Sequence, residues 1–333
     1  MRKTRSPHKA FSALTLTALL ALTLALAGCG GQGPGTSGGG SIAEEFDLSG
    51  PQATSQFTVG SEDFTEQEVL GQISIQALEA AGADVTDETG LGGNAAVRQA
   101  LLDDDISLYW EYTATGWLVF LANTNPISDP QEQYDAVAEQ DLEENDVEWL
   151  QPAPANNTYT IVSNPDTARD LGVENITDLA RLVEENPEEA TLCFGNENDF
   201  QSRVDGLPGL EQAYGFEFPS ESLIITPLDT VYEFVAQGDR CNFGVAFLTS
   251  GLLEEQDLEI IEDDENFFAV YNPAPTMKAE TLQENPQLEN LFAPIAEKLD
   301  TETLRGLNSR VEVDGESPDA VAGDWLRENG FTG

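Results

Sequence analysis

The chain has 333 residues, with 61 Asp and Glu against 14 Lys and Arg and one histidine, for a formal net charge of −47. A surface this acidic rejects nucleic acid, anionic headgroups and free nucleotides. Its carboxylates are scattered through every segment, which reads as hydration at high salt, where screening reaches about 3 Å at 1 M.

Arg2, Lys3, Arg5 and Lys9, with no acid among them, precede an apolar run over 11–27 that ends in Leu26-Ala27-Gly28-Cys29. Residues 1–28 read as a signal peptide closed by a lipidation box, with Cys29 the lipid acceptor. A short membrane helix is the alternative, and about seventeen residues are marginal for spanning roughly 30 Å. Removal of the leader leaves 305 residues, enough for two domains, with ten basic residues against 61 acids. His8 leaves with it, so the mature chain has no imidazole for general base, nucleophile activation or metal ligation. Residues 29–55 begin GGQGPGTSGGGS and read as a flexible tether.

The fold is expected to begin near Gln56. A strand over 57–59 leads into GSEDFTEQ, where Thr65 and Glu68 have capping-box spacing ahead of Val69, Ile73 and Leu78. Residues 83–89 alternate like a second strand, GLGG turns into a helix ending at Leu102, and 106–110 is a third strand. This β-α-β-α-β order predicts a parallel sheet. A helix over 131–143 and a short strand over 148–150 follow, then a break at Pro152 and Pro154.

The alternation restarts with a strand from Tyr159 to Val162 and continues through helix 177–185, strand 191–194, helix 209–214, strand 223–226, helix 230–237 and strand 242–247. Residues 267–271 are a further extended run, and everything after Met277 reads as helix, with no strands, packed back on the first domain. The expectation is an α/β clamshell. Lobe I comprises 56–154 and 271–333, lobe II comprises 155–270, and two crossings join them. Cys193 and Cys241, in an extracytoplasmic compartment, are expected to pair and staple two strands of lobe II, contributing roughly 4 kcal/mol.

GLGGNA (90–95) fits a dinucleotide fingerprint by spacing, with Glu111 near the expected acid offset. The strand before it is too polar for a buried core strand, so a plain turn is the better reading. Acid clusters such as Asp103-Asp104-Asp105 lack calcium-loop spacing, and no pair stands out for glycosidase work. No cofactor, metal or catalytic residue is expected.

Aromatics are more informative. Tyr112, Tyr159, Phe247 and Tyr271 sit at predicted strand ends or lobe crossings, and Trp110 and Trp117 flank the first of these in ISLYWEYTATGW. Arg203, one of few cations, lies in DFQSRVDGLPGL, where it can neutralise a carboxylate bidentately, and a bridge to an acid is its bland alternative.

VGSEDFTEQ (59–67), GLGGNAAVRQALLDDDISLYWEYTATG (90–116), NNTYTIV (156–162), FQSRVDGLPGLEQAYGF (200–216) and FFAVYNPAP (267–275) resemble, in order, the substrate-binding proteins of osmoprotectant ABC importers. These are glycine betaine, carnitine and choline binders of the type II periplasmic-binding-protein fold. The resemblance implies an aromatic cage from Tyr112, Tyr159 and Tyr271, a carboxylate-binding Arg203 helped by Thr115, and backbone contacts from Asn157. Phe247 stands where the family commonly has tyrosine. Some members carry a second carboxylate-binding lysine where this chain has Glu62, which leaves betaine and choline both open and allows Glu62 to face solvent.

The reading is a monomeric lipoprotein receptor, not an enzyme, anchored outside the cell and delivering a quaternary ammonium solute to a permease and ATPase. Its rivals are a choline- or carnitine-preferring receptor, a secreted enzyme acting on a choline-type substrate, and a chemosensory or adhesive module.

Overall fold

The computed structural model describes Phe46, Leu48 and residues 56–333, apart from 125, 128, 196–199 and 239. The leader, Cys29 and nearly all of the tether lie outside the described residues. Leu48 is buried and its N–H donates to Ala81 O (2.8 Å). The chain is therefore already fastened to lobe I within the stretch read as tether.

Lobe I opens with β1 (Gln56–Gly60), α1 (Thr65–Ala80), β2 (Asp84–Glu88), α2 (Asn94–Leu102) and β3 (Leu108–Tyr112). β3 runs straight into a one-turn helix α3 (Thr113–Thr115) and a π-helical turn (Gly116–Phe120), followed by α4 (Pro130–Asn145) and β4 (Val147–Trp149). Each residue of LYWEY in β3 is buried, as befits the central strand, whereas polar DVTDE in β2 forms an edge. The capping box is not formed. Helix α1 starts after Phe64 with no side-chain cap, because the 61–63 loop is held instead by the glycine turn across from it.

Lobe II comprises β5 (Tyr159–Ser163), α5 (Pro165–Leu171), α6 (Ile176–Glu185), β6 (Leu192–Gly195), α7 (Leu207–Tyr214), β7 (Leu223–Thr226), α8 (Leu228–Gln237), β8 (Phe243–Phe247), α9 (Leu252–Glu255) and β9 (Glu259–Ile261). The chain then returns through β10 (Pro273–Lys278) to α10 (Ala279–Glu284), α11 (Leu288–Glu297), α12 (Thr301–Glu312) and α13 (Pro318–Glu328). The sheets run β2-β1-β3-β10-β4 and β7-β6-β8-β5-β9. In each, one strand from across a crossing, β10 or β5, lies antiparallel among parallel neighbours.

After Lys278 the tail is helical as expected, but β10 is a strand that the sequence reading did not assign, between the extended run over 267–271 and that tail. Its PAPTMK sequence hides it, since proline is rare inside sheets. Here the carbonyls of Pro273 and Pro275 accept from Ala153 and Leu150 N–H at 2.8 and 2.9 Å. Both missing donors therefore lie on the side where 150–153 asks only for acceptors. The run over 267–271 is irregular instead, its Phe267 and Phe268 N–H groups donating to the Asp263 carboxylate. Helices α12 and α13 pack on α1. Cys193 on β6 and Cys241 just before β8 are disulfide-bonded, their Cα atoms 5.7 Å apart. Among the described residues no helix is long and apolar enough to cross a membrane.

Candidate functional site

Strand register assembles the site. Tyr159, first in β5, pairs with Phe247, last in β8, so both rings project on one face at the sheet end. Their centroids are 5.3 Å apart at 26°. The two crossings run side by side. Asn157 N–H donates to Tyr271 O (3.0 Å), and Tyr271 N–H donates to Asn156 Oδ1 (2.8 Å). That fixes Tyr271 edge-on to Tyr159 at 5.6 Å and 75°. Phe64, from the β1–α1 loop, stacks on Phe247 (5.7 Å) and on Tyr112 (6.3 Å). Five rings, Tyr112, Phe64, Phe247, Tyr159 and Tyr271, thus make one continuous wall drawn from both lobes.

Arg203 closes the wall. Its guanidinium lies 5.8 Å from the Tyr159 centroid. Nε and Nη2 donate to Asp205 Oδ1 and Oδ2 at 2.9 and 2.5 Å, and Nη2 reaches Thr115 Oγ1 at 3.5 Å. The Tyr271 hydroxyl donates to the same Asp205 Oδ2. The acid that pairs with Arg203 is thus inside its own motif. The fork leaves Asp205 below the usual carboxylate range even though burial pushes the other way. RVDGLPGL has this shape because its glycines allow close approach. A Cβ on Gly206 would sit 2.1 Å from Phe200 O, and one on Gly209 1.9 Å from Val204 O.

Behind Tyr112 lies a buried carboxylate, Glu66. It accepts from Tyr112 Oη (2.8 Å) and Asn157 Nδ2 (2.9 Å) at one oxygen, and from Asn308 Nδ2 (2.9 Å) at the other. Burial raises its pKa, and these bonds with one to Thr249 hold the rise back. Glu111, fully buried on β3, accepts from Tyr109 Oη and Tyr112 N–H, and burial pushes it up to about 7.

The cleft so formed holds about 40 Å³. Tyr112, Thr115, Asn157, Tyr159, Arg203, Phe247 and Tyr271 all line it, so the structure brings the seven sequence-predicted positions together. Asn157, expected to offer backbone contacts, has its N–H committed to the crossing, and its side-chain amide serves Glu66. Glu62 does not face solvent. It is 4% exposed and lines the cleft. Sequence reasoning missed Phe64, whose only signal was an aromatic opening α1, and it missed Leu228 and Asn94, which carried none. Trp110 and Trp117 lie elsewhere. Trp110 donates to Ser74 Oγ and packs edge-on to Phe292, while Trp117 is half-buried in the packing behind the cleft. Among the described residues no group of three or more His, Cys, Asp or Glu is placed to hold a metal.

Comparison with known proteins agrees with this architecture. A glycine-betaine-binding protein of Pseudomonas aeruginosa is 34% identical over 275 residues, 81% of this chain and 87% of that protein. The glycine betaine-binding protein YehZ of Escherichia coli is 33% identical over 286 residues, 84% and 93% of the two chains. The solved structure of apo YehZ superposes with a TM-score of 0.63 at 32% identity, covering 84% of this chain and 100% of that one. Residues 55–328 match the family described as the substrate binding domain of the ABC-type glycine betaine transport system, and the chain belongs to that family.

Proposed function

We propose that this chain is the extracytoplasmic receptor of an ABC importer and closes on a glycine betaine-type quaternary ammonium solute. The cation would sit against Tyr112, Phe64, Phe247, Tyr159 and Tyr271, with its carboxylate end toward Arg203 and Thr115. The observation that carries this is the unbroken ring wall ending at a buried guanidinium. A trimethylammonium group has no hydrogen to donate, so only cation–π attraction and shape can hold it, at roughly 0.5–2 kcal/mol per ring. At the upper end of that range, four or five rings and one charged contact reach the about 8 kcal/mol of a micromolar complex when the association cost is at its lower end.

A volume of about 40 Å³ is room for roughly three waters, less than such a solute needs. Entry therefore requires the lobes to part at the crossings and close again, and a permease reads the closed form. Family membership supports a binding receptor rather than an enzyme. Cys29 lipidation, the tether and a monomeric state complete the proposal. One observation favours a second reading within the class. Glu62 puts an acid inside the cleft, which suits choline, a cation without a carboxylate. Calorimetry with glycine betaine, carnitine and choline at high salt decides. Binding of at least one, weakened at least about tenfold by Phe247→Ala, is expected; no heat with any of them sinks the proposal.

A further inference from the structure

The loop that carries Glu62 is a fixed part of the cleft. Leu91 N–H donates to Ser61 O (3.0 Å), Gly90 N–H to Ser61 Oγ (2.9 Å), and Asp63 N–H to Gly92 O (3.2 Å). Ser61 Oγ in turn donates to Glu62 O (2.8 Å). The loop is thereby fixed, and Glu62 lines the same cleft as Arg203. Arg203, whose Nε and Nη2 are held by Asp205, offsets the Glu62 charge only in part, since burial and Glu111 outweigh it.

We infer that Glu62 sets which quaternary ammonium solute the cleft accepts: with its proton on, it donates to the carboxylate of a zwitterion, and with its proton off, it pairs with a cation that has no carboxylate. This rests on the receptor function proposed above and specifies its substrate class. The charge count supports it. Arg203 and Asp205 cancel and Asp63 lines the cleft in either case, so a proton on Glu62 makes the cleft one charge less negative, which favours the carboxylate end of a zwitterion. An ionised Glu62 adds one negative charge, which favours a cation such as choline.

The groups facing Glu62 are Asp63 beside it, Tyr109, Glu111 and Tyr112 from β3, and Arg203 with its partner Asp205, while Glu66 of α1 stands behind Tyr112. Burial, then Glu111, pushes the Glu62 carboxyl well above its ordinary range, and Arg203 opposes the rise. Tyr109 and Tyr112 are pushed well above the ordinary phenol value, so the buried carboxyls give up their protons before either phenol does.

The test is calorimetry of glycine betaine and choline against wild type, Glu62→Gln and Glu62→Lys between pH 6 and 9, at constant high salt, in two buffers of different ionisation enthalpy. In wild type, betaine affinity is expected to fall about tenfold or more as pH rises, with proton uptake on binding, while choline affinity rises with proton release. Glu62→Gln removes both trends, and Glu62→Lys weakens choline at least about tenfold at every pH. Wild-type betaine binding that is flat across this range, or Glu62→Gln that keeps the wild-type pH dependence, overturns the inference while leaving the receptor intact. In the second case the proton sits on Glu111 or Glu66. Absence of binding by wild type to either solute at any pH overturns the receptor reading itself.

Discussion

Asp205→Asn tests the buried pair at the closed end of the cleft. In the native protein Arg203 spends Nε and Nη2 on the two oxygens of Asp205, and both residues are at most 9% exposed. Asparagine keeps one acceptor for Nε but presents an amide where Oδ2 stood. Nη2 loses its partner, the Tyr271 hydroxyl must turn from donor to acceptor, and the guanidinium loses its counter-charge. Breaking one side of a buried pair costs about 3–5 kcal/mol, and the surviving bond places this case near 3. For a chain of this size that is a fall in Tm of about 5 °C.

The pH dependence has a definite sign. Asp205 is held below its unfolded pKa, so its contribution is complete above roughly pH 4 and is lost as pH falls through the native value. The gap between the two proteins is therefore full at pH 7 and narrows in acid. Meanwhile the freed fork should bind a carboxylate better, raising betaine affinity by about tenfold, one charged hydrogen bond's worth. Thermal melts at pH 7 and urea titrations down the pH scale read the first effect, and calorimetry reads the second. A variant that melts within about 2 °C of wild type at pH 7 would show that Arg203 does not depend on Asp205, and the account of this end of the site would fail.

Gly209→Ala places a Cβ against Val204 O and the Phe267 ring, so the Arg203 loop must rebuild. Solute affinity should drop about a hundredfold or more, with lobe I amides keeping their exchange protection. Glu312→Ala removes the acceptor for Ser250 Oγ and Gly251 N–H. It should weaken binding severalfold and enlarge the radius of gyration of the solute-saturated protein by small-angle scattering. Replacing both Cys193 and Cys241 with serine opens a loop of 48 residues. That should cost about 4 kcal/mol by urea unfolding, with solute affinity at 25 °C within about twofold of wild type, since the bridge is at the far end of β8 from Phe247.

The β/α alternation could be read almost element by element as far as Phe247 because the strands there, polar β2 apart, are short runs rich in apolar residues between turn residues. It failed at β10, where two prolines argue against a central strand. Only the neighbouring segment over 150–153, distant in sequence, makes them acceptable. Helix α5 was also missed, although Asn164 caps it, Pro165 opens it and Gly172 ends it, because seven residues leave too little periodicity to see. In the site, Tyr159 and Phe247 were legible as strand ends, and Arg203 as a rare cation in a glycine-bound loop. Glu62 and Phe64 were not. Whether a loop residue is buried there depends on how closely lobe II approaches, and no local pattern in lobe I encodes that. Trp110 illustrates the converse. It lies two residues before Tyr112 on β3, yet Phe292 and Ser74 enclose it in the core of lobe I.

The end of β8 joins recognition to closure. Phe247 supplies a ring to the cleft, and the next four residues are gripped by α12 of the opposite lobe. Arg305 donates to Leu248 O through Nε and Nη2 (3.2 and 2.7 Å), Asn308 to Thr249 O (2.9 Å), and Glu312 accepts from Ser250 Oγ and Gly251 N–H (3.0 and 2.9 Å). Gly251 has no side chain for a reason, since a Cβ there would lie 2.4 Å from Ser309 Cα. Five such bonds at about 0.5–1.5 kcal/mol each amount to a few kcal/mol for the whole latch. A solute can move an open–closed equilibrium only by its differential affinity, and carrying it from 1:99 to 99:1 takes about 5.5 kcal/mol. Latch and solute are therefore of comparable size, the condition for a receptor that stays open when empty and shuts when occupied. A much stronger latch would close the cleft without solute, and a weaker one would leave the filled cleft open to release it. Because Phe247 and the latch share one strand end, a solute that draws the ring inward also seats Leu248–Gly251 on α12.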